Sequence, residues 1–476
     1  MTGIKGANVP APVMSACDTN ARREGRGTTM KRGLIGLAVA AMVAVSCTAT
    51  GSSSVTPVNT SSGATHAPVT INVWSFYNGR EFQQYDSVLA DFHTLYPWIT
   101  VNHTPNKSDA EIVQGINGGS PPDMTISQGP DNVAKFCSTG AMQDLTPFLQ
   151  ADGTDISKII PAQALRYTSY NGDQCTLPVL SDAYGLYYNN AMFQAAHITS
   201  PPKTLSELEA DAKKLTQFNP DGSIKVAGFM PLHAFYENAN FFLGNFSGSK
   251  WYDANGKSAF ASDPTWAAML QWQKTMISDV YGANGVHLLQ DFFAGLGGAN
   301  SEWGPAQGFD IGKVAMACDG EWRTAFIKQY QPKLNYSTAP MPVLDSIAST
   351  YGRGQIGGDV VAIPRGAPNA AAAWLLVKYL ATNTSAELKL AYALGNVPTT
   401  FDALSTTKQA SDPHFKPFLD VFSNPISDFK QLTPLGDADQ TMWSNFVDNW
   451  EAGKVPDLQA GLQSLATQID QQSALG

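Results

Sequence analysis

Short apolar runs rich in β-branched residues alternate with longer amphipathic runs from residue 69 onward. The order of these runs predicts strand, helix, strand, helix and strand. This order is typical of a parallel sheet with helices on both faces. The sequence therefore predicts an α/β fold. The five predicted elements are 70–74, 81–96, 100–103, 109–117 and 123–127.

The same alternation continues further along the chain. Residues 204–215 predict a helix that Thr204 or Ser206 caps, with acids early and lysines late as the helix dipole favours. A strand at 359–363 and a helix at 369–381 follow. One stripe at i, i+3, i+4 and i+7 predicts a helix packed on the core. It consists of Trp443, Phe446, Val447 and Trp450.

Loops at the ends of the predicted strands are the expected place for a ligand. In open parallel sheets, ligands bind beyond the carboxyl ends of the strands. The loops to search are those after Trp74, Ser127 and Leu180, together with their counterparts in the second half.

The first 47 residues have the character of a targeting segment. Two basic residues precede the apolar run 33–43, which is too short to span a bilayer, and Ala-Val-Ser-Cys closes it. We interpret 1–47 as a signal peptide with a lipobox-like end, with Cys47 as the lipidation site and Met30 as an alternative start. Position 44 carries Ala where lipoboxes usually carry Leu, so cleavage as an ordinary secreted protein stays open.

The segment after Cys47 predicts a flexible tether. Residues 48–67 contain ten Ser or Thr and no Asp, Glu, Lys or Arg, too little apolar surface to offset the cost of ordering. The chain has a net charge of −10, and the leader has six basic and two acidic residues, which leaves −14 for the remainder. Nucleic acids and anionic membrane surfaces are therefore disfavoured partners.

Three cysteines follow the leader. Cys137 and Cys175 form a possible disulfide outside the cell, whereas Cys318 lies in an apolar run and is expected to be a buried thiol. The sequence shows no Cys or His cluster at metal-ligand spacing, so no metal or other cofactor is predicted.

Several short motifs occur in an order and spacing that resemble those of extracellular solute-binding proteins of the maltose-binding type. The resemblance extends from residue 70 to about residue 469. Its marks are Val73-Trp74, Gly-Gly-Ser-Pro-Pro-Asp-Met at 118–124, Gly-Leu-Tyr-Tyr-Asn-Asn at 185–190, Pro-Pro-Lys-Thr at 201–204, Gly-Lys-Val-Ala-Met at 312–316, Gly-Glu-Trp at 320–322 and Gly357-Gly358.

The resemblance implies a two-lobed α/β fold with a ligand cleft between the lobes. Lobe one would comprise 68–179 and 358–397, and lobe two 180–357 and 398–476. The implied function is the capture of a di- or oligosaccharide for the membrane subunits of an ABC importer with a separate ATPase. Such a protein is not an enzyme, is expected to be a monomer anchored by lipid outside the cell, and closes its lobes around the ligand.

The candidate ligand-binding residues combine aromatic faces for the C–H surfaces of a sugar with polar groups for its hydroxyls. Trp322 matches the family's sugar-packing aromatic, and Asp182 matches an acid that accepts hydroxyl hydrogen bonds near the hinge. The stretch 229–252 would supply contacts from lobe two. The remaining candidates are Tyr77, Asn78, Ser127, Gln128, His233, Tyr236, Asn238, Trp251, Gly358 and Asp359.

Two other functions stay open. A ligand such as glycerol phosphate or a glycerophosphodiester would need an Arg fork, for which Arg80, Arg323 and Arg353 are candidates. A secreted glycoside hydrolase would need paired acids such as Asp319 and Glu321, but these lie two residues apart in one turn. The Gly-x-Gly-x-x-Gly at 352–357 precedes a predicted strand instead of a helix and so does not indicate a dinucleotide site.

Overall fold

A computed structural model describes Val58 and residues 65–239 and 248–474. The predicted signal peptide with Cys47 and most of the predicted tether lie outside these described residues. Residues Val55–Gly476 form one compact unit. In the described part of the chain, no helix combines the length and apolarity that a membrane crossing requires.

The fold contains nine described strands, and the strands predicted from the sequence are present among them. For the four strands predicted with both ends, each predicted boundary falls within three residues of the observed one. The strands are β1 Val69–Ser75, β2 Ile99–Thr104, β3 Met124–Ser127, β4 Leu177–Asn189, β5 Gln217–Phe218, β6 Ile224–Val226, β7 Met316–Gly320, β8 Tyr336–Pro340 and β9 Ile356–Ala362.

Helices fill the intervals between the strands. Residues 204–215 form the expected helix, and the hydroxyl of Thr204 caps it by accepting from the backbone N–H of Glu207 at 3.3 Å. The helices α1 to α16 are Gly79–Leu95, Asp109–Asn117, Val133–Ser138, Thr146–Ala151, Ala162–Leu165, Asn190–Ala195, Leu205–Leu215, Pro264–Tyr281, Gly285–Gly295, Arg323–Tyr330, Ala370–Thr382, Thr384–Leu394, Phe401–Thr406, Lys416–Ser423, Ala438–Glu451 and Leu458–Ser473.

Strand β4 joins two parts of one sheet system. Its first half pairs with β9 at 177–183, which completes the strand order β2-β1-β3-β9-β4. Its second half pairs with β7 on one side and β8 on the other at 184–189. The same 13-residue strand therefore carries the chain from one part to the next.

The expected mainly parallel pairing is correct only for β1, β2 and β3. Strands β9, β7 and β8 all pair in antiparallel fashion, because the chain returns to each sheet part in the opposite direction. The expected strand end at Leu180 was also wrong: β4 continues to Asn189. The polar Asp182 lies within the strand, where it pairs with Gly357 and its carboxylate accepts a hydrogen bond from Asn396 at 2.8 Å.

Two apolar cores stabilise the two parts of the sheet system. One packs α1, α11 and α12 against β1, β3 and β9, and the other packs α7, α8, α14, α15 and α16 around β4 and β7. The predicted stripe on α15 lies in the second core, where Trp443 and Val447 are fully buried and Trp450 nearly so. The sequence prediction of a core face is confirmed for these three residues.

Three backbone segments meet where the chain passes between the two parts. Ser181 of β4 exchanges two backbone hydrogen bonds with Val397, at 2.8 and 3.0 Å. On the other side, Ser181 pairs with Gly358 of β9. Gly358 has φ +145°, and a Cβ at this position would lie 2.3 Å from the carbonyl oxygen of Leu180. Only glycine allows this close approach.

Cys137 and Cys175 form a disulfide, with their Cα atoms 5.5 Å apart. The bond ties α3 to the segment that enters β4. Cys318 is buried, and its thiol contacts the carbonyl oxygen of Glu237 at 3.8 Å. The sequence expectations for all three cysteines are confirmed.

Replacing both Cys137 and Cys175 by Ser is expected to lower the unfolding free energy by about 3 to 4 kcal/mol, because the bond closes a loop of 38 residues. Urea unfolding with and without reductant would measure this. The wild type in reductant should match the double variant. Equal midpoints for the oxidised wild type and the double variant would contradict the prediction.

Gly358→Ala is expected to lower the unfolding free energy by roughly 2 to 4 kcal/mol, since the new Cβ would collide with β4 at a backbone angle that L-residues disfavour. Gly357→Ala is the matched control. Its Cβ would meet only Pro130, at 3.7 Å, so the loss should stay below about 1 kcal/mol. Similar unfolding midpoints for the two variants would show that the approach of β9 to β4 is not tight.

Candidate functional site

A cavity of about 650 Å³ lies where the three crossing segments meet. Its size is within the usual range for small-molecule sites. The ends of β1, β3 and β9, the middle of β4 and one face of α15 contribute to its wall. Six of the residues predicted from the sequence line it, namely Tyr77, Gln128, Asp182, Trp322, Gly358 and Asp359.

Two other predicted residues lie beside the cavity without lining it. Asn78 is exposed and precedes α1, where its side chain caps no backbone N–H. Ser127 is buried at the end of β3 and hydrogen-bonds to Asp109, which does line the cavity. Burial raises the pKa of Asp109, and the hydrogen bonds from Asn132 and Ser127 oppose part of this rise. The neighbouring residues Tyr77 and Gln128 do line the cavity, as expected for loops at the ends of β1 and β3.

The four residues predicted from 229–252 are buried in the second core. The His233 ring contacts the Ser444 hydroxyl at 3.0 Å, and burial lowers the pKa of His233 to about 4. The Tyr236 hydroxyl contacts Ser301 at 2.9 Å.

The other two of the four also contact protein groups. The side-chain amide of Asn238 donates to the carbonyl oxygen of Leu232 at 2.9 Å, and Trp251 packs edge-on against Trp266 and Trp443. From this stretch, Glu237 is the described residue that lines the cavity.

A cluster of carboxyl groups lies at the crossing. Tyr77 donates a hydrogen bond to Asp359, and Asn396 donates to Asp182 at 2.8 Å and to Glu321 at 3.2 Å. Burial raises the pKa of Asp182 to about 7. Burial also raises the pKa of Asp359 and Glu321 well above the usual range, and repulsion from Asp182 adds to both shifts. These three acids therefore keep their protons to a higher pH than exposed carboxyl groups do.

Aromatic rings form another wall. Trp322 lies edge-on to Tyr184 with ring centroids 5.4 Å apart, and Trp303 lies 6.4 Å from Trp322 at an angle of 37°. The Trp322 ring covers Gly320 so closely that a Cβ at 320 would come within 2.3 Å of it, which explains the glycine. Trp303 is 45 % exposed and thus offers a ring face to the cavity.

Trp303 and the polar face of α15 also line the cavity, and neither was predicted from the sequence. This face consists of residues spaced at i, i+3, i+4, i+7 and i+8, on the side of the helix opposite the apolar stripe. The spacing of these polar residues is the signal that would have found them. They are Asp437, Gln440, Thr441, Ser444 and Asn445.

Lys430 is the described basic residue in the cavity wall. Its ammonium group donates to the carbonyl oxygen of Gly436 at 2.7 Å and lies 2.8 Å from Asp439 and 3.8 Å from Asp131. The lysine is therefore already neutralised by protein groups. Within 65–239 and 248–474, no group of three or more His, Cys, Asp or Glu is placed to hold a metal ion.

Known proteins with related sequences are named as binding proteins. The maltotriose-binding protein of Pyrococcus abyssi (strain GE5 / Orsay) is 21 % identical over 344 residues, which cover 72 % of this chain and 69 % of that protein. A putative binding protein of Brucella abortus (strain 2308) is 24 % identical over 313 residues, covering 64 % and 70 % of the two chains.

Solved structures share the fold. CpMnBP1 with mannotriose bound superposes with a TM-score of 0.74 at 24 % identity, covering 84 % of this chain and 99 % of that one. An ABC transporter solute-binding protein from Thermotoga lettingae TMO, bound with α-D-tagatose, gives 0.69 at 22 % identity and covers 85 % and 99 %. The expected two-lobed α/β fold is confirmed.

The family itself follows from the sequence. The profile of the bacterial extracellular solute-binding proteins matches residues 87–417, which is more than half of the chain. This stretch includes most of the three crossing segments and most of the cavity wall. The chain therefore belongs to the family of bacterial extracellular solute-binding proteins.

Proposed function

We propose that this protein captures a carbohydrate of two or more units in the cavity and delivers it to the membrane subunits of an ABC importer. The observation that carries the proposal is the combination of aromatic faces and hydrogen-bonding groups around one cavity of about 650 Å³ in a solute-binding family. The named sugars of related proteins, mannotriose and maltotriose among them, support the same ligand class.

The aromatic wall suits the apolar faces of sugar rings. Trp303 and Trp322 are neighbours, and Trp303 retains the exposed surface that a ligand would cover. A pyranose packs its C–H groups on such a ring and gains both apolar burial and attraction to the ring face.

The polar wall suits sugar hydroxyls, which both donate and accept. Gln128, Gln355 and Asn396 bring amides that can do either, and Asp182 brings a strong acceptor when it is ionised. These residues come from four separate segments of the chain. A ligand that contacts them all would be fixed in one orientation.

A phosphorylated ligand fits this site less well. The Arg323 guanidinium is buried and bound to Asp319 at 2.7 Å, and Arg80 donates to the carbonyl oxygen of Ala393 at 2.7 Å. Arg353 is not among the described residues that line the cavity. An anion would therefore face carboxylates without an Arg fork to bind it.

Hydrolysis of a glycoside is not favoured either. Asp319 is held by Arg323, and Glu321 accepts from the backbone N–H of Ala183 at 2.8 Å. Both acids are fully buried behind the cavity wall. A hydrolase needs two carboxyl groups that face each other across the scissile bond, and this pair does not have that placement. We propose binding without chemistry.

Closure of the two lobes would complete the site. We propose 68–179 with 358–397 as lobe one and 180–357 with 398–476 as lobe two. The three crossing segments lie near the boundaries of these lobes and support the division. Residues from both proposed lobes line the cavity, for example Tyr77 and Trp322. A ligand that contacts both lobes binds the closed state more tightly and shifts the population toward it.

We also propose that Cys47 carries a lipid that anchors the protein, as a monomer, to the outer face of the cell membrane through the tether 48–67. The lipobox-like end of the leader and the Ser/Thr-rich composition of the tether support this. A separate ATPase would drive the importer.

An oligosaccharide ligand at a concentration of about one hundred times its dissociation constant should raise the unfolding free energy of the protein by roughly 2.7 kcal/mol. A thermal-shift screen of the full chain against mono- and oligosaccharides and glycerophosphodiesters would detect the ligand. A sugar that shifts the midpoint and is recovered intact supports a binding protein. A phosphodiester hit or hydrolysis of the sugar would overturn it.

Trp303→Ala is expected to weaken sugar binding by about tenfold to a hundredfold, because it removes one aromatic face from the cavity. Titration calorimetry with the sugar found in the screen would measure the loss. Phe218→Ala is the matched control, since Phe218 is also 45 % exposed but lies on β5 outside the cavity wall. If both variants bind as the wild type does, Trp303 is not a sugar platform.

A further inference from the structure

The cavity wall is strongly acidic. Seven carboxyl side chains line it, against the single lysine Lys430 and no described arginine. A neutral sugar needs hydrogen-bond partners, which hydroxyl and amide groups supply without the cost of burying charge. The acids are Glu81, Asp109, Asp131, Asp182, Glu237, Asp359 and Asp437.

Protein cations neutralise only part of this charge. Arg80 lies 3.8 Å from Glu81, and Lys430 is shared between Asp131 and the more closely bound Asp439. Four of the seven acids take part in no ion pair with any described residue. These four are Asp109, Asp182, Asp359 and Asp437.

The acids form two groups on the cavity wall. At the crossing, Glu81, Asp182 and Asp359 repel one another. At the start of α2 and α15, Asp109 is repelled by Asp437 and Asp131. Burial raises the pKa of Asp109, Asp182 and Asp359, and the repulsion within each group adds to the shift. Each group would gain most from a positive charge on the ligand.

The arrangement of the carboxyl and aromatic groups indicates which kind of cation the cavity would bind. Carboxyl groups on the wall do not converge three at a time, as an ion-binding cage would require. Trp303 and Trp322 add a flat apolar wall between polar ones, which suits a ring with a charged substituent more than a bare ion.

We propose that the ligand is an oligosaccharide that carries protonated amines, that is, a sugar with unacetylated amino groups. One ammonium group would lie at the carboxyls of the crossing and another at the carboxyls beside α2 and α15. This inference rests on the proposed carbohydrate-binding function and narrows it. Binding of the cation would lower the pKa of the facing carboxyls, so protons would be released on binding at mildly acidic pH.

Titration calorimetry of the full chain with a glucosamine dimer and its glucose counterpart tests the proposal. The two dimers differ only at C2 of each ring, where an ammonium group replaces a hydroxyl group, and both anomeric linkages should be used. At about pH 6 and low salt, the glucosamine dimer should bind at least about tenfold more tightly. The preference should shrink in high salt, and the N-acetylated dimer should lose it.

Variants locate the charge that confers the preference. Asp109→Asn combined with Asp437→Asn should lower the affinity for the glucosamine dimer at least about tenfold more than the affinity for the glucose dimer. Asp86→Asn is the control, because Asp86 is exposed on α1 and outside the cavity wall. An equal loss in the control would mean that net charge, not the site, is responsible, and would overturn the proposal.

The remaining outcomes distinguish failure of the amino-sugar ligand from failure of carbohydrate binding itself. Equal affinity for the amine and the glucose dimer would overturn the amino-sugar ligand and leave carbohydrate binding in place. Failure of every saccharide, with or without amines, would overturn the proposed function itself. Tighter binding of spermidine or Ca²⁺ than of any saccharide would assign the acidic wall to a different cation and overturn the inference.

Discussion

The double pairing of strand β4 is the constraint on which the rest of the structure depends. Its first half completes one sheet part through β9, and its second half is the centre of the other part, between β7 and β8. The polar Asp182 lies at the change of partners. Because one continuous strand serves both parts, the cavity lies where the strand changes partners. Any change in the twist of β4 would alter both walls of the cavity together.

Much of the fold follows from local sequence signals. The alternation of β-branched and amphipathic runs identified β1 to β3 and β9 together with the helices α1, α2, α7 and α11, and the apolar stripe identified the core face of α15. The antiparallel direction of the later pairs could not be predicted in this way, because it depends on the direction in which distant parts of the chain enter the sheet. Strand β4 continues beyond Leu180 through backbone pairing with β9, β7 and β8, all of which come much later in the chain and leave no local signal.

The site was predictable where it is built from strand ends and not where it is built from helix faces. Tyr77 and Gln128 follow strands, so position alone indicated them. By contrast, His233 and Trp251 occur in a segment of suitable composition, but packing directs both side chains into the core. Composition gives the kinds of side chain available, whereas the direction of each side chain depends on long-range packing.

The place of β9 in the sheet has a consequence for biosynthesis. Strand β3 pairs with β1 on one side and with β9 on the other, and β9 follows about 230 residues later in the chain. While the chain emerges from the ribosome, β1, β2 and β3 can assemble, but the outer edge of β3 stays open until β9 arrives. An open edge of this kind is a template for pairing with other chains. The nascent protein therefore has a long interval in which a chaperone or rapid export would protect it from aggregation.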